Sequence, residues 1–272
     1  MTDQRCRTKY PILLIHGTAF RDWRGTGLYW GRIPKVLEDH GAQLFYGGQD
    51  GWATVEENGA ALARRVEEIL AQTGAEKVHL IAHSKGGLEA RHLASSLGLG
   101  EKLASVTLIA TPNHGSVTMD RLYRLPRWLY RLCGFFINTW FRLLGDRHPD
   151  FCAVCEQFTT GWTETFNAAN PDVPGLLYRS YAGIMSTWRA DFFLCLTSLL
   201  QHAVEGPNDG LVTETSARWT GYRGPWRGVG GRGVSHMDEV DFRRRPLRRR
   251  GQVWDVVDEY VAMVAELKEM GL

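Results

Sequence analysis

Residues 77–88 read KVHLIAHSKGGL and predict a buried strand, a sharp turn and the start of a helix. The apolar run 78–82 forms the strand, and Gly86 and Gly87 allow the helix to pass close to the turn. Ser84 lies at the turn between this strand and this helix. That position is typical of the nucleophile elbow, in which a strained turn holds the hydroxyl clear of the sheet. The alternative is an ordinary strand–loop–helix in which this serine only caps the helix.

Strands and helices alternate on both sides of this stretch. The helix that follows Thr54 has a capping box, because Glu57 comes three residues later, and Gly74 ends it. Buried strands are predicted at 10–15, 43–46, 78–82, 105–110 and 177–184. The alternation predicts an α/β fold with a mostly parallel sheet and helices on both faces, and we expect residues 1–272 to form one domain.

The composition is that of a globular protein, with 44% hydrophobic and 23% charged residues. The net charge of +2 is too small to indicate a nucleic-acid partner. Six arginines among residues 243–250 are a local exception, which indicates either a solvated loop or contact with an anionic membrane surface. No apolar run reaches the roughly 18 residues that a transmembrane helix needs.

Cysteine usage and the first residues bear on cellular location. The chain has five cysteines, and this odd number argues against a full disulfide framework and favours free thiols. The first predicted strand begins at Tyr10, which leaves no room for a signal peptide before it. We therefore expect a cytoplasmic protein, or a secreted one whose leader has been removed.

A serine nucleophile needs a base within hydrogen-bond reach and an acid that orients the base. In α/β-hydrolases the acid and then the histidine follow the serine along the chain. Asp209 lies in a glycine-rich loop and His236 precedes the C-terminal helix, so they are the candidate acid and base. His202 precedes Asp209 and has the wrong order. Glu205 and Glu214 remain weaker alternatives for the acid.

Two backbone N–H groups should form an oxyanion hole. One belongs to Lys85, the residue after the candidate nucleophile, and the other to Thr18 in the loop after the first strand. The alternative for that loop is a plain turn at a strand end. His16 and His83 lie in these two segments, too close to the elbow for either to be the base.

Six segments carry a resemblance to a known family: YPILLIHGT, YWGRIPKVLEDHGA, GAEKVHLIAHSKGGLEAR, ASVTLIATPNHGS, PNDGLV and SHMDEV. In this order they resemble the bacterial true-lipase family of the α/β-hydrolase superfamily, over most of residues 10–116 and in two short regions further on. The resemblance implies an α/β-hydrolase fold and hydrolysis of triacylglycerols or other carboxylic esters, with no cofactor required for the chemistry. It carries the triad and the oxyanion donors over to the residues already named, Ser84, Asp209, His236, Thr18 and Lys85.

The same resemblance implies a structural calcium ion near the catalytic histidine. Asp238, two residues after His236, matches one ligand of that ion, and Asp191 is a displaced match for a second. A glutamine expected six residues after the histidine is Phe242 here, which cannot bind calcium. Asp191 and Asp238 are therefore the candidate calcium ligands, and Phe242 puts the metal site in question; the alternative for Asp238 is a solvated acid or a helix cap.

The regular pattern breaks at about residues 117–165, where such hydrolases often insert a lid. Residues 121–151 contain eight aromatic residues interleaved with arginines, and their apolar residues recur at helical spacing. An aromatic, basic amphipathic helix suits a lipid–water interface. We expect a lid that caps an acyl pocket, with Trp128 and Phe136 contacting the substrate. The alternative is a helical subdomain packed permanently over the core.

These observations predict a serine hydrolase of the carboxylesterase or triacylglycerol lipase type. It should act on acylglycerols or other acyl esters through an acyl-enzyme on Ser84, with an acyl-ester or lipid substrate and a transient lipid-interface contact as its partners. The same residues suit a thioesterase or a polyester depolymerase. A non-catalytic binding protein with this fold would lack a triad member, and all three are present in the sequence.

Overall fold

The computed structural model of the protein describes residues 3–19, 21 and 28–272. Its centre is a six-stranded sheet with the order β2-β1-β3-β4-β5-β6, in which every neighbouring pair is parallel. The strands of this sheet are β1 (Ile12–Ile15), β2 (Leu44–Tyr46), β3 (Val78–His83), β4 (Leu103–Ile109), β5 (Leu177–Gly183) and β6 (Tyr222–Trp226). A separate antiparallel hairpin follows, made of β7 (Leu247–Arg249) and β8 (Gln252–Trp254).

The helices are α1 (Ile33–Asp39), α2 (Val55–Thr73), α3 (Lys85–Ala94), α4 (Val117–Leu122), α5 (Arg127–Leu143), α6 (Phe151–Gln157), α7 (Thr160–Ala169), α8 (Cys195–Val204), α9 (Glu214–Ala217) and α10 (Val256–Glu269). The predicted capping box starts α2, because the Thr54 hydroxyl accepts from the Glu57 N–H at 3.2 Å. The left-handed Gly74, with φ of 69°, ends the same helix.

Successive side chains of the central strands point to opposite faces of the sheet. Ile12 and Leu14 pack with α1 and α10, whereas Leu13 and Ile15 pack with α2 and α3. All four residues are fully buried. The predicted sheet with helices on both faces is therefore confirmed, and it is wholly parallel.

Between β4 and β5 the chain forms four helices, α4 to α7, which include residues 117–165, where the sequence predicts an insertion. No helix within the described ranges is long and apolar enough to cross a membrane. The five cysteines all lie in the described ranges and are free. The cellular location stays a prediction.

Candidate active site

Ser84 lies at the sharp turn between β3 and α3. Its backbone has φ of 56° and ψ of −131°, a conformation that residues with a side chain rarely adopt. The Ser84 N–H donates to the Ile109 carbonyl at 2.9 Å, which ties the turn to the neighbouring strand β4. The surrounding structure therefore fixes a strained backbone at the candidate nucleophile, as an elbow requires.

Two glycines allow other segments to approach this turn closely. A Cβ atom on Gly86 would lie 2.7 Å from the Ile15 carbonyl oxygen, and one on Gly17 would lie 2.7 Å from the Ser84 Cβ atom. Both separations are shorter than real Cβ contacts. The end of β1, which leads to Thr18, is thereby packed directly against the elbow, and Thr18 lines the same cavity as Ser84.

The side chain of Lys85 is buried beneath the elbow and forms an ion pair with Glu89, one helical turn further along α3. The Glu89 carboxylate also accepts from Asn58 Nδ2 at 2.8 Å and Gln49 Nε2 at 3.3 Å. Gln49 Nε2 donates at 3.0 Å to the His16 carbonyl at the end of β1. A buried polar network thus links both segments that carry the predicted oxyanion donors. From the sequence, only the backbone N–H of Lys85 has a predicted role.

His236 and Asp209 form a close pair. The Nδ1 atom of His236 lies 2.7 Å from the Asp209 Oδ2 atom, and the His236 N–H donates to the Asp209 carbonyl at 2.9 Å. The other carboxylate oxygen accepts from the N–H groups of Leu211 and Val212 at 2.8 and 2.7 Å. Because Asp209 accepts a hydrogen bond from the Nδ1–H group, the Nε2 atom of His236 is left as the basic ring nitrogen.

A second carboxyl group, which the sequence analysis did not identify, lies beside this pair. The Glu239 Oε2 atom is 3.5 Å from His236 Nδ1, and the side chain is fully buried. Burial, together with the charges of Asp209 and Asp238, raises the pKa of Glu239 well above its ordinary value. The spacing of three residues from His236 is the one sequence signal, because it places both side chains on the same side of the turn.

The buried His83 side chain lies between Glu239 and Tyr29. Its Nε2 atom lies 2.9 Å from Glu239 Oε2, and its Nδ1 atom lies 2.6 Å from the Tyr29 Oη atom. Burial, with the neighbouring His236 ring at 4.4 Å, lowers the pKa of His83 well below its ordinary value. A neutral His83 accepts from the Tyr29 hydroxyl and donates to Glu239.

One cavity of about 470 Å³ brings the candidate catalytic residues together. Thr18, Ser84 and His236 all line it. Its remaining walls are mainly apolar, and those from residues 117–165 are Met119, Leu122, Tyr130, Phe151, Cys155 and Phe158. A cavity of this size with few polar groups suits a flexible hydrocarbon chain rather than a polar ligand.

Trp128 and Phe136, which the sequence analysis predicts as substrate contacts, do not line this cavity. Their side chains are 66% and 63% exposed. The inner face of α5 is formed instead by residues such as Tyr130 and Gly134, which pack near Phe151 and Cys152 of α6. The structure thus places these two residues on the solvent-facing side of α5 and not at this cavity, and their contact with the substrate stays a prediction.

Asp191 and Asp238, the predicted calcium ligands, do lie close together, and the Ser235 hydroxyl is 2.9 Å from an oxygen of each. Arg243 donates to Asp191 at 2.8 Å, and Arg232 donates to Asp238 at 2.6 Å. Calcium binds six to eight oxygen ligands and needs their negative charge. Because two guanidinium groups already neutralise both carboxylates, this group of residues does not fit a calcium ion.

Comparisons with known proteins add independent evidence. The model of the alpha/beta hydrolase fold family matches residues 10–201. A triacylglycerol lipase of Vibrio cholerae is 39% identical over 268 residues, covering 86% of this chain and 80% of that lipase. A triacylglycerol lipase of Pseudarthrobacter phenanthrenivorans is 34% identical over 181 residues, which are 62% of this chain; the match spans only 56% of that relative's length.

A solved structure, that of a metagenomic carboxyl esterase, superposes with a TM-score of 0.72 and covers 96% of this chain and 76% of that one. Its sequence identity of 15% limits this likeness to the fold. The predicted architecture and the predicted resemblance to bacterial lipases are both confirmed by these matches.

Proposed function

Because the chain belongs to the α/β-hydrolase fold family and is similar to bacterial triacylglycerol lipases, we propose that it is a serine hydrolase of acylglycerols or other acyl esters. The observation that supports this most directly is the arrangement around the cavity. The strained Ser84 and His236, which is paired with Asp209, both line one largely apolar cavity.

In the proposed reaction the Ser84 hydroxyl attacks the acyl carbonyl carbon while His236 Nε2 takes up its proton. Asp209 holds the imidazole in the required orientation and stabilises its protonated form. The backbone N–H groups of Thr18 and Lys85 stabilise the oxyanion that develops. The imidazolium then protonates the leaving alcohol, and a water molecule hydrolyses the acyl-enzyme by the same steps in reverse.

The cavity walls support an acyl chain as the group bound beside Ser84. Met119, Leu122 and Phe158 offer apolar surface without a charge that would fix a polar head group. The carbonyl carbon of a thioester or of a polyester is open to the same attack, so both remain substrates to compare. Measuring kcat/KM for p-nitrophenyl esters of increasing chain length and for matched acyl thioesters would rank these classes.

We further propose that residues 117–165 form a lid segment that contacts a lipid surface. An exposed apolar surface on α5, here called the α5 surface, supports this; it consists of Trp128, Leu132, Phe135, Phe136, Trp140 and Leu143. Helix α4 supplies Met119 and Leu122 to the cavity and packs against α8. The region of α8 exposes a second apolar group, Phe192, Phe193, Leu196, Leu199 and Leu200.

The proposed nucleophile is tested with the variant Ser84→Ala. We expect it to lose labelling by a fluorophosphonate probe and about 10⁴-fold in kcat on p-nitrophenyl butyrate, because it removes a triad member. Ser95→Ala, the same change at the other end of α3, is the matched control and should keep both. A Ser84→Ala protein that kept more than about a tenth of the activity would contradict the assignment.

A further inference from the structure

We propose that the guanidinium groups of Arg243 and Arg232 take the place of a structural calcium ion and hold the turn that carries His236 without a metal. The proposal concerns a cluster of four charged side chains, Asp191, Asp238, Arg232 and Arg243. The two aspartate side chains are 1% and 3% exposed, so their charges need a partner within the protein.

Arg243 lies between the two carboxylates. Its Nη2 atom donates to Asp191 Oδ2 at 2.8 Å, and its Nη1 atom lies 3.6 Å from Asp238 Oδ1. The planar guanidinium has five N–H donors in a fixed fork, so one group can bridge two carboxylates as a bound cation would. Arg243 directly follows Phe242, the position at which the resemblance implies a calcium ligand.

Arg232 completes the neutralisation from the other side. Its Nη1 atom donates to Asp238 Oδ2 at 2.6 Å, and its Nη2 atom donates at 2.7 Å to the carbonyl of Ala190, the residue before Asp191. Two positive groups therefore balance two negative ones, and a carbonyl oxygen of the kind that calcium binds is also occupied. A divalent ion added here would meet two nearby cations and would need both to move away.

The cluster is joined to His236 through the preceding residue. The Ser235 N–H donates to Asp238 Oδ2 at 3.0 Å, and the Ser235 hydroxyl lies 2.9 Å from both aspartates. The Asp238 N–H in turn donates to the Ser235 carbonyl at 2.8 Å. Fixing Asp238 thus fixes the turn 235–238. Arg243 and Arg232 are therefore positioning residues for His236, and this role rests on the proposed function.

The first test measures the intact protein after dialysis against EDTA. We expect the melting temperature to be the same with EDTA and with added CaCl2, and calorimetric titration with CaCl2 to give no binding heat. Neither measurement requires turnover, so a failure of the proposed hydrolase activity would leave their outcome intact. A stoichiometric calcium titration, or a melting temperature that falls in EDTA, would overturn the proposal.

The second test removes the bridging cation with Arg243→Gln. We expect a melting temperature lower by about 5 °C and a kcat on p-nitrophenyl butyrate lower by about tenfold with KM little changed, because His236 loses its position. Added CaCl2 should now raise the melting temperature, since two carboxylates are left with one cation. Arg243→Lys, which keeps the charge, should recover part of both losses.

Arg248→Gln is the matched control, because it removes the same charge from an exposed position on β7. Its melting temperature and kcat should equal those of the wild type, and added CaCl2 should not change its melting temperature. An Arg243→Gln protein that matched Arg248→Gln in all three would overturn the proposal. Should Arg243→Gln fail to fold, the calcium response of the wild type and of Arg243→Lys still decides the question.

Discussion

The Nε2 atom of His83 lies 2.9 Å from the Oε2 atom of Glu239, and both side chains are buried behind the His236 ring. The Nδ1 atom of His236 therefore lies near two carboxyl groups, 2.7 Å from Asp209 Oδ2 and 3.5 Å from Glu239 Oε2. Two carboxylates in one buried site cannot both be charged without a large cost. Burial and the charges of Asp209 and Asp238 raise the pKa of Glu239 well above its ordinary value, so Glu239 is the group that keeps its proton.

The variant Glu239→Gln tests this protonation state. A glutamine matches the protonated acid in shape and still accepts from His83, so we expect kcat/KM near pH 7 to stay within about threefold of the wild type. Glu38→Gln, at an exposed position on α1, is the control for the lost carboxyl group. A loss of about 10³-fold or more would show that the ionised Glu239 is needed and would contradict the assignment.

The raised pKa of Glu239 also has a consequence for stability. The unfolded chain releases this proton near pH 4.3, whereas the folded protein holds it to a higher pH. The contribution of Glu239 to the free energy of unfolding therefore falls as the pH rises above about 4.3, until the folded group itself ionises. We expect the melting temperature of Glu239→Gln, relative to the wild type, to rise over this interval. A constant difference between the two proteins would contradict the raised pKa.

The buried ion pair of Lys85 and Glu89 should matter for stability far more than a surface pair. Lys85→Met leaves Glu89 charged and without its cation, which costs about 3–5 kcal/mol of unfolding free energy in comparable buried pairs. The exposed pair of Lys102 and Glu67 is the natural comparison, and Lys102→Met should cost about 1 kcal/mol or less. Urea denaturation measures both.

The double variant Lys85→Met/Glu89→Gln isolates the interaction. We expect it to be more stable than Lys85→Met alone, because the uncompensated charge is gone while Asn58 and Gln49 keep a partner. Additive losses would mean that the pair is not coupled in the folded protein. The kcat of Lys85→Met should fall as well, since Gln49 holds the His16 carbonyl beside the oxyanion loop.

The elements that the sequence predicted are those with a local signature. The elbow at Ser84 needs small residues within a few positions, and the helix after Thr54 needs only its own cap. Strand β6 was missed because Gly224 and Pro225 interrupt its pattern, and it forms by pairing with β5 about 40 residues earlier. The arginine-rich run 243–250 indicates a solvated loop or a membrane contact, but part of it pairs with β8 in a hairpin.

The site shows the same division. The order of Ser84, Asp209 and His236 along the chain is enough to predict them as nucleophile, acid and base. The structure places the last two in contact. The role of Arg243 was not visible, because it depends on Asp191, which lies 52 positions earlier in the chain. The direction in which the apolar face of α5 points also depends on tertiary packing, which the sequence does not show. Helical spacing defines an apolar face but does not say whether the core or a lipid surface covers it.

His79 provides a test of acid stability away from the proposed chemistry. Burial and the nearby Arg179 charge lower the pKa of His79 to about 4. The unfolded histidine takes up a proton near pH 6.5, so the contribution of His79 to the free energy of unfolding should fall as the pH drops from there to about 4. A pKa lowered from about 6.5 to about 4 corresponds to roughly 3 kcal/mol at neutral pH.

His79→Asn removes this titration while keeping a polar group near the Ser105 hydroxyl, which lies 2.8 Å from His79 Nδ1. We expect a lower stability near neutral pH, because the imidazole leaves a cavity, but a weaker loss on acidification. His148→Asn, at an exposed position, should follow the wild type at every pH. Parallel acid profiles for wild type and His79→Asn would contradict a lowered pKa in the folded state.

The α5 surface should act only at a lipid interface. Trp128→Ser and Phe136→Ser together remove aromatic groups that are 66% and 63% exposed, so we expect little change in the melting temperature. Activity on emulsified triglyceride should fall by about tenfold, because less apolar area is buried in the interface. Activity on soluble p-nitrophenyl acetate should be unchanged, and Val253→Ser, at an exposed apolar position on β8, should alter neither. Equal losses on both substrates would show that residues 117–165 are a permanent structural subdomain and would contradict the lid.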